Sequence, residues 1–175
     1  CEALVLCYAE VMNKQTKSIL VYVGLDRVGD SLLKLPFVQG LRHAFPDAHI
    51  TWLAGKGTSV YASFMAPAVD SLLDEVIDDA GIGLSLKELF YRPLDGQSFD
   101  LIIDTQRVAL ATAIVYRIRH KAFVSPFGNF LLSTHKPSKG YVFPKSMQRQ
   151  MLDLLEIATG NTVPTPSAID LPLDA

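Results

Sequence analysis

The residues of this chain whose types and spacing can do chemistry lie in Gly24-Leu-Asp-Arg-Val-Gly29-Asp30-Ser31. The segment follows Ile19–Val23, an apolar, β-branched run of the kind a parallel sheet buries. Gly24 to Gly29 reads as a tight loop. Asp30 falls at the N-cap of a helix marked by Leu33, Phe37, Leu41 and Ala44. The loop at the carboxyl end of the first strand of an α/β sheet is where ligands bind. Asp30 is therefore a candidate acid–base carboxylate, with helix capping as its alternative role. Gly29 would let the backbone approach a ligand or take a positive φ, or would simply close the turn. Arg27 can pair with a carboxylate or phosphate, or lie solvated at the surface. Asp26 reads as an ordinary loop residue.

The spacing nearly matches a phosphate-binding loop, with Asp30 where that loop needs Lys. A carboxylate there puts negative charge where a polyphosphate would lie, so the match is rejected. No G-x-G-x-x-G follows the strand, which excludes the dinucleotide fingerprint.

The elements that must position these residues alternate strand and helix. His49–Ala54 reads as a second strand, and residues 55–58 as a turn. A helix is expected from Thr58 or Ser59 to Met65, and a short strand over Glu75–Ile77. Ser85 and Glu88 have capping-box spacing for a helix to Phe90. Leu101–Ile103 reads as a central strand, Val108–Ile118 as a helix and Ala122–Val124 as a fifth strand. Residues 125–139, with two prolines, read as a long loop of the kind that is functional or mobile. Residues 146–159 form the clearest amphipathic helix, with Met147, Met151, Leu154, Leu155 and Ala158 on one side and Gly160 as its stop. The fold class expected is α/β: a Rossmann-like parallel sheet with helices on both faces, over residues 19–160. Residues 1–18 are an N-terminal extension, with Met12 a possible native start. Residues 161–175, with three prolines, read as an interdomain linker.

The run from Val23 to Pro36 resembles the opening motif of the family 9 glycosyltransferases, the ADP-heptose:lipopolysaccharide heptosyltransferases. Members open with a hydrophobic strand and a segment like R-L-D-R-I-G-D-x-x-L-x-x-P; here Gly24 stands where the family often has Arg. The resemblance continues through Leu41–Ala54, Val69–Ile77 and Phe99–Gln106. It implies the N-terminal, acceptor-binding lobe of a two-lobed GT-B enzyme, with the nucleotide-sugar lobe beyond the linker. It implies inverting transfer of heptose from ADP-heptose to a lipopolysaccharide inner-core acceptor, with Asp30 as the base. Such a carboxylate would act most effectively late, when bond formation has acidified the attacking hydroxyl. The resemblance also implies acceptor contacts from Arg27, Gly29 and Ser31. Polar groups after the central strand, Asp104, Gln106 and Arg107, would line the acceptor cleft. Arg107 replaces the family's frequent Gly, and Asp104 would serve equally as a cap for the next helix. No cofactor or catalytic metal is implied, the donor nucleotide sugar belonging to the other lobe. The chain alone would be inactive. The competing reading is a non-catalytic Rossmann-like binding or regulatory domain; a receiver-like version is disfavoured because Lys121 is poorly placed for it.

Composition bounds the partners. The chain has 175 residues, 49% hydrophobic, with a formal net charge of −2. That suffices for one domain with a real core and excludes a disordered chain. Nothing in the charge balance points to nucleic acid. The two cysteines, Cys1 and Cys7, lack CxxC spacing and read as free thiols of a reducing cytosol. The four histidines have no metal-ligand spacing. No apolar run reaches membrane-spanning length. The dense basic cluster is Arg117-Ile-Arg119-His120-Lys121, expected at a helix end. A solvated face is one reading; phosphate- and carboxylate-bearing acceptors, or an anionic membrane surface, would also suit it. The localisation expected is cytoplasmic, with peripheral association to the inner membrane as an option.

Overall fold

A computed structural model describes residues 15–25 and 27–163. The N-terminal extension up to residue 14, Asp26 and the expected linker from residue 164 lie outside the described residues.

Five parallel strands form one sheet: β1 (Ser18–Leu25), β2 (His49–Lys56), β3 (Glu75–Ile77), β4 (Ser98–Asp104) and β5 (Arg119–Val124), in the order β3-β2-β1-β4-β5. Parallel strands need crossovers that cover the sheet faces, so the central strand is apolar on both sides. Along β1, Ile19, Val21 and Val23 face one core and Leu20 and Tyr22 the other. The first face is covered by α1 (Val28–Ala44) and α4 (Met147–Thr159), through Phe37, Val38 and Leu41 from one and Met151, Leu154 and Leu155 from the other. The second face is covered by α3 (Ala109–Val115) and the segment around Ile82. A short α2 (Ala66–Val69) lies between β2 and β3.

Gly40 lets α1 and α4 approach closely, since a Cβ there would lie 2.8 Å from Leu155 Cδ2. Pro36 lies buried inside α1, where its missing N–H forfeits the bond to the Leu32 carbonyl.

Several expected boundaries shift. Pairing with β2 carries β1 on to Leu25, and α1 begins at Val28, so both elements extend into the expected six-residue loop. Arg27, not Asp30, is the N-cap, with φ −94° and ψ 155° and no side-chain capping bond. The helix expected near Ser59 is a 3₁₀ turn, Val60–Ala62, with Ser59 accepting from the Tyr61 amide. The Ser85–Glu88 capping box is present, on a 3₁₀ turn, Leu86–Phe90. The expected fourth helix stops at Val115, because β5 starts pairing with β4 at Arg119. Arg119, His120 and Lys121 therefore stand on an edge strand rather than at a helix end.

Residues 125–146 contain no helix or strand, yet side-chain hydroxyls fasten them to the edge of the sheet. The Ser125 amide donates to Ser133 Oγ (2.9 Å), and the Phe123 amide to Thr134 Oγ1 (3.0 Å). The Thr134 amide returns a bond to the Phe123 carbonyl at 2.7 Å. These contacts cover the open edge of β5. Beyond α4, Gly160 takes the left-handed conformation (φ 73°) that ends the helix. Val163 is then held by Arg149 and Glu156.

Candidate active site at the carboxyl ends of β1 and β4

The strand order reverses between β1 and β4. From β1 the chain leaves toward β2 on one side, and β4 and β5 lie on the other. At such a switch point the two outgoing loops part and leave a crevice. A cleft of about 260 Å³ opens there. Leu25, Asp30 and Lys34 line it from the β1–α1 side, and Thr105, Gln106 and Arg107 from the end of β4. Phe143, Met147, Gln150, Met151 and Leu154 close it from the α4 side.

Asp30 occupies the first turn of α1, the position where the helix dipole favours an anion. It is half-buried, faces the cleft, and makes no hydrogen bond or ion pair with another described residue. Lys34 follows one helical turn later on the same face of α1. It is 5% exposed, with its ammonium 6.0 Å from the centroid of Trp52. Its i+4 spacing from Asp30 is the signal in the sequence that places it here.

Arg107 is held flat. Its guanidinium carbon stands 3.8 Å from the Phe143 ring centroid, and Nη2 reaches Gln150 Oε1 at 3.5 Å. Phe143 itself stacks on Phe130 with centroids 5.5 Å apart, and Gln150 Nε2 donates to the Pro144 carbonyl at 2.6 Å. Stacking fixes the plane of the guanidinium and keeps N–H groups available for a carboxylate or phosphate. Gln106 lies beside it, its Nε2 donating to Thr105 Oγ1 (3.2 Å). A Cβ on Gly24 would stand 2.8 Å from Gln106 Oε1, so Gly24 makes room for the Gln106 side chain. A bulky residue at position 24 would displace it.

Asp104 does not reach the cleft. It is fully buried beneath it and accepts three bonds: from the Gln106 amide (2.8 Å), Thr112 Oγ1 (2.6 Å) and Ser125 Oγ (2.9 Å). Burial pushes its carboxyl up to about 6, against the pull of those three donors. The arrangement ties the turn after β4 to α3 and to the end of β5. Asp104, expected to line the cleft, lies beneath the residues that do. Tyr22, beside it on β1, donates to the Ile82 carbonyl at 2.8 Å. Burial, with the charges of Asp104 and Glu88, holds its phenol well above the usual range.

Three other residues expected at the site are not among those that line the cleft. Ser31 turns into the core: it is fully buried, its Oγ donates to the Arg27 carbonyl (3.0 Å), and its own carbonyl accepts from Tyr61 Oη (2.6 Å). Gly29 is an ordinary helical residue without positive φ, and a Cβ there would meet nothing within 4 Å. Arg27 is exposed at the N-cap, outside the residues that line the cleft.

Comparison with solved structures finds this fold. A glycosyl transferase family 9 protein from Veillonella parvula DSM 2008 superposes with a TM-score of 0.60 at 18% identity, over 91% of this chain and 46% of that one. E. coli heptosyltransferase WaaC with ADP-2-deoxy-2-fluoro heptose gives 0.56 at 18% identity, over 86% and 50%. WaaC with ADP gives 0.55 at 17% identity, over 86% and 49%. No family model and no curated protein matches the sequence. The chain spans about half the length of the structures it matches.

At these identities the likeness is one of fold: an α/β, Rossmann-like sheet of the kind found in GT-B glycosyltransferases. The structures belong to the family that the Val23–Pro36 motif resembles. Of the seven residues expected in the site, the fold brings Asp30, Gln106 and Arg107 to one cleft. Chemically, that cleft offers one unpartnered carboxylate flanked by a lysine and an arginine, with an apolar wall opposite.

Proposed function

We propose that this chain is the acceptor-binding lobe of a heptosyltransferase-like glycosyltransferase. The substrates would be ADP-heptose, held by a second lobe, and a lipopolysaccharide inner-core acceptor held in the cleft of this one. One observation carries the reading: Asp30 faces the switch-point cleft, with no partner among the described residues, opposite Gln106 and Arg107.

In that role the Asp30 carboxylate removes the proton from an acceptor hydroxyl. The hydroxyl oxygen attacks the anomeric carbon from the face opposite the nucleotide. The bond from that carbon to the diphosphate breaks, ADP leaves with the electron pair, and the configuration inverts. Arg107 pairs with an anionic group of the acceptor, Gln106 hydrogen-bonds its hydroxyls, and Lys34 makes the cleft attractive to anions. No group on this lobe is assigned to the leaving diphosphate, so the chain by itself would bind acceptor without turning over. The setting would be the cytoplasm. Among the described residues no helix is long and apolar enough to cross a membrane.

The test is sugar transfer from ADP-heptose to an inner-core acceptor, with this chain joined to its nucleotide-sugar lobe. Asp30→Asn should lower turnover by about 10²–10⁴-fold while donor binding persists. Turnover retained in Asp30→Asn would sink the assignment of the base.

A further inference from the structure

Phe143, the ring that flattens Arg107, lies in a stretch with no helix or strand of its own to place it. The first half of that stretch, around Ser133 and Thr134, is fastened to β5. The second half is held by α4 instead. Tyr141 Oη donates to Asp153 Oδ2 (2.6 Å), and the Pro144 carbonyl accepts from Gln150 Nε2 (2.6 Å). Gln150 and Asp153 stand about one turn apart on α4, and their bonds bracket Phe143 on either side along the chain.

The Tyr141 ring adds packing to the tether. It meets Phe130 edge-on at 5.6 Å and Phe143 edge-on at 5.2 Å. Those two rings are stacked, 6° from parallel. Tyr141 is thus wedged against both members of the stack, and a shift of Tyr141 shifts the ring on which Arg107 rests. Its anchor is unusual. Asp153 is 7% exposed, and a carboxylate that deep must be paired. Oδ2 takes the Tyr141 hydroxyl and Oδ1 takes Arg149 Nε (2.6 Å). Burial and the Asp153 carboxylate hold the Tyr141 phenol well above the usual range, so it stays a donor through neutral pH. Arg149 reaches onward past the end of α4. Its Nη1 donates to the Val163 carbonyl (2.8 Å), while the Val163 amide donates to Glu156 Oε1 (2.7 Å). An unbroken set of contacts therefore runs from Val163 through Arg149, Asp153, Tyr141 and Phe143 to Arg107 in the cleft.

We propose that Tyr141, anchored by Asp153 and Arg149, is a positioning residue for Arg107: it fixes Phe143 so that the guanidinium keeps one orientation for an anion in the cleft. Through Arg149 that orientation depends on where the backbone lies at Val163. For catalysis the role rests on the function proposed above, in which Arg107 meets the acceptor anion. A Tyr141 that served only the fold would change stability and leave Arg107 in place.

The Nε–Hε resonance of Arg107 in the intact chain, assigned by its loss in Arg107→Lys, separates these roles. A guanidinium 3.8 Å from a ring centroid feels the ring current, so this proton should resonate away from those of exposed arginines. Tyr141→Phe keeps the ring and removes the bond to Asp153. Tyr141 is half-buried, and an unchanged circular dichroism spectrum checks that the variant folds. Its Arg107 resonance should move toward the exposed arginines, and inorganic phosphate titrated against it should bind about fivefold more weakly. Arg149→Ala should act in the same direction. Val142→Ala, at an exposed neighbour in the same stretch, should change neither readout. An Arg107 resonance unmoved in folded Tyr141→Phe overturns the positioning role. Movement there but not in Arg149→Ala overturns the dependence on Val163. A resonance that moves in a chain that never binds phosphate keeps the positioning role and removes Arg107 from the proposed acceptor site, so the two readings fail separately.

Discussion

Strand β4 carries an aspartate at each end, and the two are put to opposite uses. At the amino end Asp100 accepts from the Lys17 amide (2.8 Å), the Ser18 amide (3.1 Å) and Lys121 Nζ (2.7 Å). Burial works against its charge, but the bonds from Lys121 and the two amides outweigh that and hold its carboxyl below the usual range. At the carboxyl end Asp104 accepts three bonds, all from uncharged donors, and burial lifts its carboxyl to about 6. With the Ser18 hydroxyl at 3.3 Å Asp100 accepts four bonds against three, but one extra neutral donor is not what separates the two. A nearby cation and access to water separate them. Asp100 closes the bottom of the sheet, tying β4 to the start of β1 and to β5. Asp104 tolerates an unfavourable charge where it fixes the turn that carries Gln106 and Arg107 to the cleft.

Removing each carboxylate sharpens the contrast. Asp104→Ala leaves two hydroxyls and an amide without an acceptor in the core, and should cost about 3 kcal/mol in urea unfolding. It should also weaken binding of an inner-core acceptor about tenfold, because the Gln106 turn loses its anchor. If acceptor affinity survives in folded Asp104→Ala, the turn is held by something other than this carboxylate.

The pH dependence should run in opposite directions for the two groups. The folded value of Asp104, about 6, lies above its ordinary 3.8, so the folded protein holds the extra proton between those limits. Its contribution to stability is full below 3.8 and is lost as pH rises through 6, by up to about 3 kcal/mol. The folded value of Asp100 is lowered. Its contribution is present above the ordinary value and is lost as pH falls through the lowered one. Urea midpoints across this range should therefore lose their decline toward pH 6 in Asp104→Asn, and part of their acid decline in Asp100→Asn. Identical pH profiles for the two variants would break the comparison.

The remaining effects are smaller. Asp100→Ala should cost about 1–2 kcal/mol, since its lost partners lie near water, and should leave acceptor binding unchanged. Lys121→Ala should cost less than about 1 kcal/mol, because that side chain is 82% exposed.

The fold was largely legible from the chain. The apolar run Ile19–Val23 could only be a strand buried on both faces, and the stripe of residues 147–159 with Gly160 could only be a surface helix and its stop. Glu75–Ile77 and the Ser85–Glu88 cap were readable for the same reason: each is a local pattern with a local cause. The helix start at Asp30 was misread because Asp is a strong cap residue, while the actual cap, Arg27, contributes no side-chain bond that a sequence could advertise. Arg119 to Lys121 were misassigned because pairing with β4, a distant segment, decides where β5 begins.

The lining of the candidate cleft was legible only in part. Asp30, Gln106 and Arg107 were expected at strand ends and meet there. Ser31 and Asp104 have the right types and the right loops, yet both point into the core. Whether a hydroxyl or carboxylate faces a cleft or a neighbouring helix is set by side-chain packing, which spacing does not encode. What the sequence by itself determined is the alternation of strands and helices and a carboxylate in the first turn after the first strand, because periodicity and local hydrogen bonding act within a few residues. Tertiary structure alone decided that β4 lies beside β1 and that Phe143 flattens Arg107. It also decided that Lys34 sits buried near Asp30 and that burial without a cation lifts Asp104. Each of these depends on contacts between segments far apart in the chain, whose free energies exist only once the sheet has closed.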